Sequence, residues 1–205
     1  MSGPTVFIID DDPSVRKSLS RLVRSLGFGS ESFASAEEFL GRERYDGVGC
    51  IVLDVRMPGL SGMELQDELV KGEFSMPIIF ITGHGDIPMS VQAMKKGAVD
   101  FLPKPFDDDE LLEAVQKAIE KDREAKAERS ATRDILTRIE RLTTRECEIL
   151  RYVITGMLNK QIAFKLDIAE KTVKVHRGRI MEKLGAHSVA ELVRLAEKAG
   201  IESVE

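Results

Sequence analysis

The first 120 residues alternate short, β-branched apolar runs with stretches of helical periodicity, and no other feature restricts the fold as much. The runs are Val6-Phe7-Ile8-Ile9, a weaker Glu31-Ser32-Phe33, Cys50-Ile51-Val52-Leu53, Ile78-Ile79-Phe80-Ile81 and Val99-Asp100-Phe101-Leu102. Between the first two, Val15, Leu19, Leu22, Val23 and Leu26 recur at helical spacing. Ser35 with Glu38, Ser61 with Glu64 and Asp107 with Glu110 each mark a helix start. Near-continuous apolar strands separated by helices imply a parallel sheet covered on both faces. The expectation is an α/β doubly wound domain of five strands and five helices.

The rest of the chain contains no strand-like run. From about Glu113 to Leu142 it is rich in Ala, Glu, Lys and Arg without Gly or Pro, which reads as a charged linker helix, with a disordered tether as the alternative. Ser130 and Thr132 are where such a helix would break. Beyond it, Thr143 with Glu146 and Ser188 with Glu191 are further capping boxes. Helices fit Asn159 to Leu166, Glu170 to Leu184 and Ser188 to Ala199, after an apolar stripe from Cys147 to Ile154. The expected organisation is a first domain over 1–122, a helical linker over 123–141 and an all-α four-helix domain over 142–205.

A net charge of −5 argues against nucleic-acid binding until the chain is divided. Met1 to Asp122 carries 22 acidic and 13 basic residues, whereas Arg123–Arg138 and Ile139–Glu205 are each +2. Lys171, Lys174, Arg177, Arg179 and Lys183 are opposed locally only by Glu182. No stretch approaches the roughly 18 apolar residues of a membrane span, and the N-terminus lacks a secretory pattern. Cys50 and Cys147 are too few for a disulfide framework or a metal knuckle. A cytoplasmic protein with no membrane partner is expected.

In a doubly wound sheet, chemistry gathers beyond the carboxyl ends of the strands. There the sequence has Asp10 and Asp11 after the first strand, Asp54 after the third, Thr82 ending the fourth and Lys104 following the fifth. Singly, each has an ordinary explanation: an acidic pair as a turn or helix cap, an Asp before Met-Pro-Gly as a turn former. Jointly they suit a hard divalent cation and a carboxylate nucleophile towards a phosphoryl donor, with the hydroxyl and ammonium holding phosphoryl oxygens.

In these positions the chain resembles the receiver domain of bacterial response regulators across Met1 to Asp122. The matching words are Ile8-Ile9-Asp10-Asp11-Asp12, Leu53-Asp54-Val55-Arg56-Met57-Pro58-Gly59, Ile81-Thr82-Gly83-His84-Gly85 and Phe101-Leu102-Pro103-Lys104-Pro105-Phe106. The resemblance implies a flavodoxin-like sheet, with Asp54 as the phosphoacceptor and Thr82 and Lys104 touching the phosphoryl group. It implies Mg²⁺ (or Mn²⁺) held by Asp11 directly, by Asp10 through water, by Asp54 and by the backbone carbonyl of Arg56. Asp12 is an extra acid just outside that set. Thr82 and Phe101 are the implied switch pair, although Phe101 lacks the hydroxyl of the family's usual Tyr. Lys104-Pro105 resembles the family's cis peptide. Arg56 and His84 stand where the family tunes aspartyl-phosphate lifetime. The words starting at Ser35 and Thr82 resemble the FixJ subgroup, which implies a dimer face within about 87–106 on phosphorylation.

Asn159 to Leu166, a turn at Asp167-Ile168-Ala169 and a basic helix form a helix-turn-helix pattern. Lys171, Lys174 and Gly178 fall near one face, with Arg177 beside them; a solvated charged helix is the alternative. Gly178 costs about 1 kcal/mol relative to Ala inside a helix, which suggests close approach to another body. Leu142-Thr143-Thr144-Arg145-Glu146, Gly156 to Ala163, Lys171 to His176 and Lys183-Leu184-Gly185-Ala186 resemble the LuxR-type DNA-binding domain. By that resemblance Lys174 and Val175 face bases. Asn159, Lys160, Thr172 and His176 serve phosphates, and Lys171, Arg177 and Arg179 complete the DNA-facing set. The family often has a basic residue at Gly178 and Ser at Ala169, so this chain departs from its usual pattern at two positions.

The function implied is a transcription factor rather than an enzyme, phosphorylated by a cognate sensor histidine kinase. Its further partners are double-stranded promoter DNA, a second copy on phosphorylation and RNA polymerase. One rival is a phosphatase using Asp10 and Asp12 as an Asp-x-Asp pair, disfavoured because Thr82 and Lys104 surround Asp54. Another is an interaction module whose C-terminal domain no longer reads DNA.

Overall fold

Each apolar run forms a strand because its side chains find cover on both faces. A computed structural model describes residues 3–72, 76–83 and 87–204. Strands β1 (Thr5–Ile9), β2 (Gly29–Phe33), β3 (Gly49–Asp54), β4 (Ile78–Thr82) and β5 (Asp100–Pro103) pair in parallel in the order β2-β1-β3-β4-β5. Alternate residues point to opposite faces. Val6, Ile8, Cys50, Val52, Ile79 and Ile81 pack with Leu19 and Val23 of α1 (Pro13–Ser25) and with Leu111, Val115 and Ile119 of α5 (Asp108–Ile139). Phe7, Ile9, Ile51, Leu53 and Phe80 face α2 (Ala36–Leu40), α3 (Gly62–Lys71) and α4 (Ile87–Lys95) through Phe39, Leu65, Leu69 and Ala93.

Helix starts follow the expected chemistry with two variations. Ser61 and Glu64 form a full capping box on α3. At α2 the Ser35 hydroxyl accepts from Glu38 N, but Glu38 Oε2 accepts from Ala34 N rather than from the cap itself. Asp12, expected beside the acidic pocket, is the N-cap of α1, accepting from Ser14 N at 2.7 Å. Its carboxylate thus satisfies the helix-end donor just past Pro13, which has no N–H of its own.

α5 runs unbroken through Ser130 and Thr132, the two weakest positions of this stretch. Helix-favouring Ala, Glu, Lys and Arg neighbours on both sides outweigh two weak positions. Its N-terminal half is anchored at Asp122, a buried carboxylate that accepts from Gly49 N and Lys126 Nζ, both at 2.8 Å. Lys126 Nζ also donates to Gly47 O. Cys50, buried next to Asp122, has its thiol pushed far up by burial and by that negative charge, which makes it unreactive.

The chain divides into two compact units, residues 1–126 and 127–205. The second contains α6 (Thr144–Val153), α7 (Asn159–Leu166), α8 (Glu170–Leu184) and α9 (Val189–Lys198). Ile149, Leu150, Val153, Ile162, Val173, Ile180, Leu184 and Leu192 fill its core. Asp167, at the end of α7, adopts φ 50°, a left-handed conformation that Asp tolerates better than most residues. Among the described residues no helix is long and apolar enough to cross a membrane.

Thr143 and Glu146 cap α6 reciprocally, and the buried Glu146 also accepts from Lys183 Nζ of α8 at 2.6 Å. Burial opposes the charge of Glu146, but the bonds from Lys183 and Thr143 outweigh it and hold its carboxyl below the ordinary value. A depressed carboxyl contributes stability above its unfolded value, about 4.3, that is lost as pH falls through the folded one. Glu146→Gln is therefore expected to destabilise the second unit by about 1–2 kcal/mol at pH 7. The check is faster hydrogen exchange of α6 amides, with the difference from wild type closing as pH falls below about 4.

Candidate phosphoacceptor pocket and nucleic-acid interface

The sheet order reverses direction between β1 and β3, so the crevice of a doubly wound fold opens beyond their carboxyl ends. Ile9 pairs with Leu53, which brings the next residues, Asp10 and Asp54, side by side. Asp54 pairs in turn with Ile81, and Thr82 with Pro103, so that Lys104 follows at the same level. Asp10, Asp54 and Thr82 are all buried. Lys104 Nζ donates to Asp10 Oδ2 at 2.8 Å and to Asp54 Oδ1 at 2.7 Å. Arg56 N donates to Asp54 Oδ2 at 2.7 Å, and Lys104 N to Thr82 O at 2.7 Å. Lys104–Pro105 is cis.

One ammonium serves two buried carboxylates, and the contact acts in opposite senses on the partners. Burial raises the Asp54 carboxyl above its ordinary value; Lys104 and the Arg56 N–H pull it down only in part, and the charge of Asp10 adds to the rise. Burial disfavours the Lys104 ammonium, yet its bonds to Asp10 and Asp54 outweigh this and hold it above its ordinary value. The lysine gains from both acids, whereas each acid has only a share of the lysine.

Asp11 stands apart from this cluster: it is exposed, and among the described residues no three acidic, His or Cys side chains converge into a metal cage. Its backbone is nonetheless held. Arg16 Nη1 donates to the carbonyl oxygens of Asp10 at 2.6 Å and Asp11 at 2.9 Å, and Asp12 N donates to Asp10 Oδ1 at 2.8 Å. No sequence signal marks this arginine, since one basic residue near the start of a helix is ordinary. Phe101 is half-buried, its ring 6.1 Å from that of Phe80. His84 lies outside the described residues.

In the second unit, α8 buries Val173, Ile180 and Leu184 and turns Lys171, Thr172, Lys174, Val175 and Arg179 outward. Lys160 of α7 is exposed; Asn159, His176 and Arg177 are half-buried. Arg177 Nη1 donates to Asn159 Oδ1 at 2.8 Å, so two residues expected to face DNA hold each other across α7 and α8. Lys183, counted in the basic cluster from sequence, turns inward to Glu146 and Arg141 O. A Cβ on Gly178 would meet nothing within 4 Å. Nothing in the chain itself therefore requires glycine there.

A five-stranded parallel sheet with acids and a lysine at its switch point, in one chain with a helix-turn-helix unit, defines a signal-receiving domain joined to a DNA-reading one. Comparison with known proteins agrees. Residues 6–116 match the response regulator receiver domain, and residues 140–196 match the bacterial regulatory proteins of the luxR family. Nodulation protein W of Bradyrhizobium diazoefficiens is 50% identical over 96% of this chain and 86% of that protein. The transcriptional regulatory protein FixJ of Rhizobium meliloti is 44% identical over 98% of each. A low-resolution structure of the response regulator StyR superposes with a TM-score of 0.87 at 50% identity, covering 96% of this chain and all of that one. The chain belongs to the FixJ-like two-component response regulators, with a receiver domain and a LuxR-type helix-turn-helix. It is a DNA-binding transcription factor, not an enzyme.

Two substitutions test this geometry. Lys104→Met leaves Asp10 and Asp54 facing each other without their cation. The expected loss is about 2 kcal/mol in metal-free buffer at neutral pH, below the 3–5 of a fully buried pair because Lys104 is 27% exposed. A carboxyl whose folded value is raised destabilises the fold above that value. The deficit, read by urea unfolding in EDTA, should therefore shrink as pH falls through the raised Asp54 value. Gly178→Ala should stabilise α8 by about 0.5–1 kcal/mol, seen as slower exchange of its amides.

Proposed function

We propose that Asp54 accepts a phosphoryl group from a phosphohistidine of a cognate sensor histidine kinase. The observation that carries this reading is the convergence of Asp54, Asp10, Thr82 and Lys104 at the switch point. Asp54 Oδ attacks phosphorus; the P–N bond of the donor breaks, an acyl phosphate forms, and the imidazole leaves with the electron pair and takes a proton. Lys104 is placed to move from carboxylate to phosphoryl oxygen, and the Thr82 hydroxyl to bond a second one. The donor set fits a hard divalent cation: Asp10, Asp11, Asp54 and the Arg56 carbonyl offer only oxygen, and two buried carboxylates share a single cation. Mg²⁺ or Mn²⁺ held there would supply the charge neutralisation that phosphoryl approach requires.

When Thr82 turns to the phosphoryl group it leaves space beside which Phe101, half-buried and set against Phe80, can rotate inward. The neighbouring face of α4 exposes Ile87, Val91 and Met94, an apolar strip suited to a homodimer contact. Two α8 helices then reach successive major grooves of promoter DNA. Lys174 and Val175 face bases; Lys160, Lys171, Thr172, His176 and Arg179 face phosphates, and Arg177 with Asn159 braces the approach. Bound there, the dimer acts on RNA polymerase, in the cytoplasm. We assign residues 1–122 to the receiver, 123–141 to a helical linker and 142–205 to the output domain.

The test is mass-spectrometric mapping of the phosphorylated residue, followed by capture of genomic DNA with and without beryllofluoride and Mg²⁺. Label on Asp54, and dyad-symmetric sites enriched on the order of tenfold only with the phosphoryl mimic, are expected. Asp54→Asn should abolish both. Label on Asp10 would sink the receiver chemistry, and equal capture in both conditions would remove phosphorylation as the gate.

A further inference from the structure

The acidic pocket contains one asymmetry. Asp10 and Asp54 are buried and bonded to Lys104, whereas Asp11 is exposed and its carboxylate bonds no neighbouring side chain or backbone group among the described residues. What orients Asp11 is therefore its backbone, at the point where β1 gives way to α1. An unbraced turn there could rotate its peptide planes and swing the carboxylate away from the other two.

The brace is Arg16. Its half-buried guanidinium reaches back along α1, and one nitrogen, Nη1, donates to the carbonyls of both Asp10 and Asp11, at 2.6 and 2.9 Å. Two successive carbonyls tied to one rigid, planar group fix two successive peptide planes, and with them the direction in which Asp11 leaves the chain. The other side of the turn is held independently by Asp12 N on Asp10 Oδ1 and by Ser14 N on Asp12 Oδ1. We infer that Arg16 is a positioning residue for the divalent-cation site, holding Asp11 so that only its side-chain rotation is needed to join Asp10 and Asp54 around the ion. This rests on the metal reading of the pocket given above.

The inference makes a prediction of sign. As a bare positive charge, Arg16 repels a dication, so its neutralisation would tighten metal binding. As a brace, its loss weakens binding despite removing that repulsion. Effects of groups that orient metal ligands run from about tenfold upwards.

The experiment is calorimetric titration of the full chain with MgCl₂ at fixed ionic strength, on wild type, R16Q, R16K, D11N and the R16Q/D11N double variant. Urea unfolding in EDTA accompanies it to establish that each is folded. The expected result is Mg²⁺ affinity about tenfold lower in R16Q, with partial rescue in R16K, which keeps the charge but is one bond shorter. In the double variant the loss should be no greater than in D11N alone, because Arg16 acts through Asp11. Tighter binding by R16Q, unchanged binding, or additive losses would each overturn the inference. Should R16Q fail to fold, R16K against wild type and D11N carries the same comparison. Absence of Mg²⁺ binding by wild type would instead overturn the metal reading itself.

Discussion

Two like charges brought together by strand register are the constraint around which the receiver is built. Parallel pairing of β1 with β3 leaves Asp10 and Asp54 adjacent where both strands end, and the apolar layers on either face keep them from water. Charge at such a place calls for a counter-ion, and Lys104, from the end of β5, is bonded to both carboxylates. The strands themselves have no latitude to relieve the repulsion, because every residue of β1 and β3 is buried. A one-residue slip would turn Phe7, Ile9, Ile51 and Leu53 into the wrong layer. The core thus holds the pocket in a state short of positive charge, and such a state responds strongly to whatever supplies or redistributes it.

A response can spread only where the structure is least firmly held. α3 buries four of its residues, whereas α4 buries only Ala93. Its seat on α3 is largely polar: Gln66 Nε2 donates to Ala93 O, and Lys96 pairs with Asp67. The buried Gln66 Oε1 has no hydrogen-bond partner among the described residues, so even that seat is incompletely satisfied. Elements with few buried apolar contacts open at lower free energy than the core. α4 and β5 therefore form the yielding side of a sheet whose β1–β3 centre is rigid; Thr82 ends β4, the strand between the two, and Phe101 belongs to the yielding side.

Most of this was legible in the sequence, and the exceptions have a common cause. Strand and helix positions and helix-turn-helix bounds follow from hydrophobic period, capping pairs and residue type, all of which are local signals, whereas the strand order was implied only by the family resemblance. That Asp12, just outside the metal-binding positions, caps α1 could not be read, because a carboxylate after a strand looks the same whether it faces a pocket or caps a helix; only the direction of the chain at Pro13 decides. Lys183 was counted as an exposed cation because one turn of helix separates an outward residue from one that reaches Glu146. The unbroken α5 shows the opposite limit: single weak positions such as Ser130 do not end a helix whose neighbours favour it. Asp122 with Gly49, and Arg177 with Asn159, were invisible because each joins residues whose relation is set by tertiary packing, and Arg16 because its reach depends on how the chain turns between β1 and α1.

The same distinction explains how the DNA-reading unit can vary its target without losing its fold. α8 is positioned by Val173, Ile180 and Leu184 in the core, and by the Arg177–Asn159 bond to α7. Lys171, Lys174, Val175 and Arg179 point outward and take no part in that positioning. Gly178 lies on the same open side with nothing around it, and Ala169 caps α8 without a side-chain bond. Both positions where this chain departs from the usual LuxR-type pattern can therefore change without disturbing a side-chain contact, while the buried residues and the interhelical bond hold α8 in place.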